Sequence, residues 1–238
     1  MPARLLVIEH EPGAPVAHLG TWLVEAGAAL EVCRPWAGDE VPGLAGYAGF
    51  VILGGSMGAN DDHTHPWLAA VKERIREAAE TGLPTLGLCL GHQLVAVALG
   101  GTVQVNPRGQ QVGLYDVGWR PEAADDPHFS RFPSQIRGIQ WNSDIVTALS
   151  EGAVTLAATA DDELQVVRFA PRVWGVQLHP EADEPVVRSW AAGDRDDHLE
   201  RGIDQAAVLA EIDAARAELD EAWRPLATGL VALAEAPR

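Results

Sequence analysis

The chain has two cysteines in 238 residues, too few for a disulfide framework. Each must be judged by its own surroundings, and a lone reactive thiol fits a reducing compartment, so the expected location is cytoplasmic. Basic residues are also scarce: 17 Lys and Arg stand against 34 Asp and Glu, a formal net charge of −17. Without a basic stripe the phosphates of a nucleic acid would be repelled, and a nucleic-acid partner is excluded. Apolar runs are short, so no membrane span is expected. The opening stretch Met1-Pro2-Ala3-Arg4-Leu5-Leu6-Val7-Ile8-Glu9 turns acidic too soon for a secretory signal and reads as a buried strand. There is no internal repeat, no low-complexity tract and no glycine-rich phosphate loop.

What is present suits one soluble core: hydrophobic residues make up 47% and charged residues 21%. Short apolar strands alternate with helical patterns, which predicts an α/β fold with a mainly parallel central sheet flanked by helices. Strands are expected at residues 4–9, 30–33, 50–53, 84–88 and 173–178, and helices at 16–25, 65–81 and 92–99. Between 103 and 169 β-like stretches predominate, predicting a smaller antiparallel portion. After Glu181 the chain reads as a helical segment. Residues 1–190 are expected to form the main domain, with 191–238 as a helical extension packed on it.

Gly87-Leu88-Cys89-Leu90-Gly91 places a thiol at a strand-to-helix junction between two glycines. A nucleophile in so tight a turn brings its flanking residues against the neighbouring strand and helix, where a side chain would collide. The helix N-terminus favours the thiolate, and the Leu90 N–H would form half of an oxyanion hole. Cys33, in an apolar strand with no flanking glycine, reads as a structural thiol. Further on, Trp174-Gly175-Val176-Gln177-Leu178-His179-Pro180-Glu181 puts an imidazole at the end of an apolar strand. Residues two apart in extended chain share a side, so Glu181 can lie beside His179, fix its tautomer and stabilise the imidazolium. A thiol, an imidazole and an acid together point to acyl transfer.

These motifs resemble the class I glutamine amidotransferases, in their GMP synthase-type branch. Gly87 to Gln93 is similar to that family's elbow, and His179-Pro180-Glu181 to its His-Pro-Glu signature, in the same order. Gly54-Gly55-Ser56-Met57-Gly58 is similar to the loop that supplies the other oxyanion donor, here the Gly55 N–H. Gln140-Trp141-Asn142-Ser143-Asp144 stands where the branch carries Gln-Trp-His-Gly-Asp, and Trp119 with residues 112–118 matches it loosely. Asn142 and Ser143 depart from the branch and leave substrate identity open. The resemblance covers roughly residues 4–190.

The resemblance implies a flavodoxin-like fold and a glutaminase cycle. Cys89, His179 and Glu181 would be catalytic, and a γ-glutamyl thioester on Cys89 would be hydrolysed by water. Gln93, Asn142, Ser143 and Asp144 would hold glutamine. No cofactor and no metal are implied. No synthetase domain is expected within the chain, so the ammonia would pass to a separate synthetase subunit. Two other readings stay open: a γ-glutamyl hydrolase with the same triad, and a non-catalytic regulatory module of the same fold.

Three remaining features read as structural. Asp61-Asp62-His63-Thr64-His65 has metal-ligand residue types, but a helix cap explains Asp62 and Thr64. Asp194-Arg195-Asp196-Asp197-His198 reads as an exposed face or turn. Val208, Ile212, Ala215, Leu219, Trp223, Leu226, Leu230 and Leu233 form an apolar stripe, expected to pack on the chain's own sheet, with a homodimer contact as the other use. Pro225 is expected to kink or split that helix.

Overall fold

Alternate residues of the first strand face opposite ways, and both ways are buried. In the computed structural model, which describes residues 2–236, Leu5 and Val7 of β1 (Ala3–Ile8) join one hydrophobic cluster while Leu6 and Ile8 join another. A strand apolar on both faces requires cover on both.

The elements follow as α1 (Ala17–Glu25), β2 (Ala28–Cys33), β3 (Gly49–Ile52), α2 (Trp67–Thr81), β4 (Thr85–Leu88), α3 (Leu90–Ala98), β5 (Thr102–Val105), β6 (Gln111–Asp116), β7 (Arg137–Asn142), β8 (Asp144–Ala148), β9 (Val154–Ala158), β10 (Leu164–Ala170) and β11 (Val173–Val176). Four helices complete the chain: α4 (Glu184–Gly193), α5 (Arg195–Glu200), α6 (Gln205–Ala214) and α7 (Arg216–Glu235). The central sheet has the order β2-β1-β3-β4-β11-β10-β9. Its β2, β1, β3, β4 and β11 run parallel, and β10 and β9 complete it antiparallel. Two small antiparallel pairs, β5 with β8 and β6 with β7, stand apart from it.

Helices α2 and α3 cover one face through Leu68, Val71, Ile75, Leu94 and Val95. Helices α1 and α7 cover the other through Leu19, Leu23, Trp223, Leu226 and Leu230. Burying each of these large apolar side chains contributes about 1.5–3 kcal/mol. The tail stripe is thus used within the chain: Ile212, Ala215, Leu219, Trp223, Leu226 and Leu230 are buried, and Val208 and Leu233 pack against the same cluster.

Pro225 does not split the helix, one of the two outcomes expected of it. Helix α7 runs through it, and the division falls ten residues earlier at Ala215, between α6 and α7. A proline inside a helix costs about 3 kcal/mol, but Trp223, Leu226 and Ala227 beside it are fully buried and their packing offsets that cost. Helix α3 begins directly at Leu90, two residues earlier than expected, and β11 ends at Val176, two earlier. Strands β5 and β8 escaped the sequence reading because β5 is largely exposed and shows no alternation. Helix α4 continues across position 190, where the extension was expected to begin.

Candidate active site

The carboxyl ends of parallel strands are where an open α/β sheet presents ligands, and the chain after β3, β4 and β11 converges there. Cys89 follows β4 directly, at φ 47° and ψ −105°. This positive φ is sparsely populated for a side-chain-bearing residue and is strain that the surroundings must hold. They do so from both sides: the Cys89 N–H donates to Val176 O at 2.9 Å, and its carbonyl accepts from Gln93 N at 3.1 Å. The flanking glycines are sterically required. A Cβ on Gly87 would lie 2.4 Å from Gly91 O, and one on Gly91 would lie 2.1 Å from Ile52 O. The elbow therefore packs backbone against backbone on helix and strand alike.

His179 sits after the end of β11, its N–H donating to Ile139 O at 2.8 Å. Its Nδ1 lies 2.8 Å from Glu181 Oε1, and both residues are buried. The two meet in a turned segment, so the contact comes from the bend around Pro180 and not from the extended geometry expected of the sequence. Trp190 packs on the imidazole, ring centroids 4.6 Å apart. Gly54 stands between the thiol and the imidazole: a Cβ there would lie 3.2 Å from His179 Cε1 and 3.8 Å from Cys89 Cβ. Burial alone would push the His179 pKa down. The charges of Cys89 and Glu181 and their hydrogen bonding outweigh it and hold the pKa well above its ordinary value. With Nδ1 committed to Glu181, Nε2 is the nitrogen left for proton exchange with the thiol.

Cys89 and His179 open onto a cleft of about 390 Å³, within the range of small-molecule sites. Of the other sequence-predicted residues, Gly55, Gln93, Asn142, Ser143 and Asp144 all line it. Leu90 is the first residue of α3, where the N–H has no intrahelical partner, and its side chain packs beneath Gly55. Gln93 Nε2 donates to Asp144 O at 3.0 Å and to Gln177 Oε1 at 3.3 Å. Asn142 Nδ2 donates to Gln111 Oε1 and to Asp144 O, each at 3.1 Å, while Asn142 Oδ1 is buried without a partner. The Asp144 pKa is raised by burial and by the nearby Asp61 carboxylate.

Cys33 is buried away from the cleft, its thiol pushed up to about 11 by burial and by Asp39 and Glu31. Trp119 lies in an aromatic cluster with Phe129 and Phe132, outside the cleft lining. Asp62 pairs with Lys72 at 2.6 Å and Thr64 hydroxyl donates to Asp61 O, so neither caps α2, whose N-cap is Pro66. The stretch 194–198 is also corrected: His198 is buried, and Asp194 lines the cleft and accepts from Trp141 Nε1 at 2.8 Å. Glu11, Gln110, Ser189, Trp190 and Asp194 were missed as cleft residues. They come from four separate loops and helices, and no local motif marks them.

Residues 19–186 match the protein family described as glutamine amidotransferase class-I. Gamma-glutamyl peptidase 4 of Arabidopsis thaliana is 29% identical over 150 residues, covering 62% of this chain and 59% of that protein. A glutamine-hydrolyzing GMP synthase of Parasynechococcus marenigrum is 39% identical over 107 residues, covering 43% of this chain and 19% of the synthase. The chain thus spans less than two thirds of the length of either relative. Among solved structures, a glutamine amidotransferase from Thermotoga maritima superposes with a TM-score of 0.86 at 24% identity, covering 99% of this chain and 100% of that one. The likeness shows a shared fold across the whole length.

Proposed function

Because this chain belongs to the class I glutamine amidotransferase family, we propose that it is a cysteine-dependent amidohydrolase that cleaves a γ-glutamyl amide, with glutamine as the smallest substrate. The observation that carries this reading is the strained elbow. Cys89, at positive φ between β4 and α3, opens on the same cleft as His179, whose other nitrogen is held by Glu181.

With the proton already held on His179 Nε2, Cys89 Sγ attacks the γ-carbonyl. The N–H groups of Gly55 and Leu90 receive the oxyanion. The imidazolium returns the proton to the leaving nitrogen, the C–N bond breaks, and a γ-glutamyl thioester remains. Water, deprotonated by His179, cleaves the thioester to glutamate. Glu181 keeps the imidazole in the productive tautomer. Gln93, Asn142, Ser143 and Asp144 hold the amino-acid end: Asp144 suits an α-ammonium, and the unpartnered Asn142 Oδ1 accepts from it. The chemistry belongs to residues 1–190, and 191–238 packs on the same domain. The released ammonia passes to a separate synthase, as in a reaction of the kind named for the GMP synthase relative.

A second reading, γ-glutamyl hydrolysis without an ammonia acceptor, is favoured by the similarity to a γ-glutamyl peptidase. The test is release of glutamate and ammonia from glutamine by the purified chain, beside Cys89→Ala. Turnover that vanishes in the variant is expected. Turnover that persists in Cys89→Ala removes the mechanism.

A further inference from the structure

The cleft does not end at the triad. A second cavity of about 370 Å³ adjoins it and shares Gln110, Ser143 and Asp194 as common wall. Together the two offer far more room than the side chain of glutamine and a departing ammonia require. The outer cavity is floored by residues 194–201, which lie beyond the segment matched by the family, 19–186. Val105, Gly109, Gln110 and Ser143 complete its wall from inside that match, so what it recognises is set in part by Asp194, Asp197 and Arg201 outside it.

The charges around it are unequally satisfied. Arg201 is tied back on the chain: Nη1 donates to Gln110 Oε1 at 3.0 Å and to Asp197 Oδ2 at 3.1 Å, and Nη2 donates to Gln110 O at 2.8 Å. Asp197 and Arg201 thus neutralise one another. Asp194 Oδ2 accepts from Trp141 Nε1 at 2.8 Å and from Gln110 Nε2 at 2.9 Å, two neutral donors. The nearest other candidate, His198 Nε2, is 4.0 Å away. Gln205 Nε2 donates to His198 Nδ1 at 2.8 Å, which makes that nitrogen an acceptor and leaves Nε2–H to donate to Gln110 Oε1 at 3.1 Å. Asp194 is held by these two bonds at the junction of the two cavities, and no Lys or Arg pairs with it among the described residues. Glu11 and Asp144 add two more carboxylates to the inner cleft, and no Lys or Arg lines it among the described residues.

We infer that the outer cavity is a leaving-group subsite for a cationic amine, so that the preferred substrate is a γ-glutamyl amide of a diamine whose distal ammonium reaches Asp194. This rests on γ-glutamyl hydrolysis at Cys89. The balance is that of the simple amide: the γ-glutamyl C–N bond breaks, the leaving amine takes its proton from His179, and water then cleaves the thioester to glutamate. A leaving group ending in a carboxylate meets Asp194, and the guanidinium of Arg201 already shares its charge with Asp197.

Three amides decide the matter: γ-glutamyl-1,4-diaminobutane, γ-glutamyl pentylamide, in which a methyl replaces the ammonium, and γ-glutamylglycine. At low salt the wild type is expected to show kcat/KM about tenfold higher for the cationic amide than for the pentylamide, with γ-glutamylglycine poorest. Asp194→Asn, which can still accept from Trp141 and Gln110, brings the first two close to equality. Calorimetric titration of Cys89→Ala with the same compounds reads the discrimination without turnover. Equal binding of the cationic and neutral amides, or tightest binding of γ-glutamylglycine, overturns the subsite. Discrimination in binding with no Cys89-dependent turnover of any amide keeps the subsite and removes the hydrolytic reading alone.

Discussion

His179 Nδ1 stands 2.8 Å from Glu181 Oε1, and both residues are buried. A buried carboxylate at that nitrogen fixes which ring atom carries the proton and stabilises the imidazolium that forms on the other side. Glu181→Gln can still contact Nδ1 but presents an amide that supports either tautomer. The expected result is a fall in kcat of roughly 10⁴-fold, the scale of the equivalent change in the serine triad. The rate of Cys89 alkylation at neutral pH should fall with it, because His179 loses one of the two charges that raise its pKa. Unaltered alkylation and turnover in Glu181→Gln would show that the contact has no orienting role.

The elbow can be tested by stability instead of rate. A Cβ on Gly91 falls 2.1 Å from the Ile52 carbonyl oxygen, and the clash is with backbone that cannot rotate away. Gly91→Ala is expected to lower unfolding free energy by about 3 kcal/mol or more. Gly193→Ala serves as the contrast, since nothing lies within 4 Å of its added Cβ; it should be neutral or gain up to about 1 kcal/mol from helix propensity. Urea unfolding of the two variants separates them. Equal midpoints would mean that α3 can move off β3 at little cost.

That contrast also explains what could be read from the residues alone. The elbow was legible because its chemistry and its sterics are written in five consecutive positions, Gly87 to Gly91. The apolar run of β1 and the helical spacing in α2 were legible for the same local reason. His179 and Glu181 were found as a motif, yet their contact comes from a bend that periodicity does not encode. Asp194 was missed as a cleft residue because its partners, Trp141 and Gln110, are 53 and 84 positions away. A split at Pro225 was one expected outcome because local propensity favours it, while the burial of Trp223 and Leu226 keeps the helix continuous.

Glu163 makes a prediction that no motif suggests. Its buried carboxylate accepts from Asn106 Nδ2 at 2.9 Å and from Arg108 Nη2 and Gln111 Nε2. Gln111 Oε1 in turn accepts from Asn142 Nδ2 on the cleft wall. Glu163 is therefore a positioning residue, acting on the substrate pocket through two intermediates. Glu163→Gln is expected to raise KM for glutamine by about tenfold, with kcat changed far less, because the triad makes no contact with this network. A fall in kcat at constant KM would place the effect on the chemistry and overturn the assignment.

Stability should decline as the solution is acidified through neutrality, and histidine is the cause. Burial lowers His10 and His128 to about 3, and His92 to about 4 with partial opposition from the Gly175 backbone; the Coulomb effect of His65 adds to the lowering at His10. All three are neutral in the folded chain and take up protons near the ordinary value of 6.5 on unfolding. The unfolded state therefore binds more protons below pH 6.5, and the stabilisation present above that value is lost as the pH falls towards 4 for His92 and 3 for the other two. Each contributes a slope of about 1.4 kcal/mol per pH unit, or about 4 kcal/mol per unit for the three together. His179 does not add to this slope, since a raised folded pKa leaves it protonated in both states below 6.5; its own stabilisation is lost on the alkaline side. Urea unfolding between pH 7.5 and 5 measures the sum. An unfolding free energy that stays level from pH 6.5 to 5 would mean that these imidazoles are protonated in the folded chain, and the burial assigned to them would be wrong.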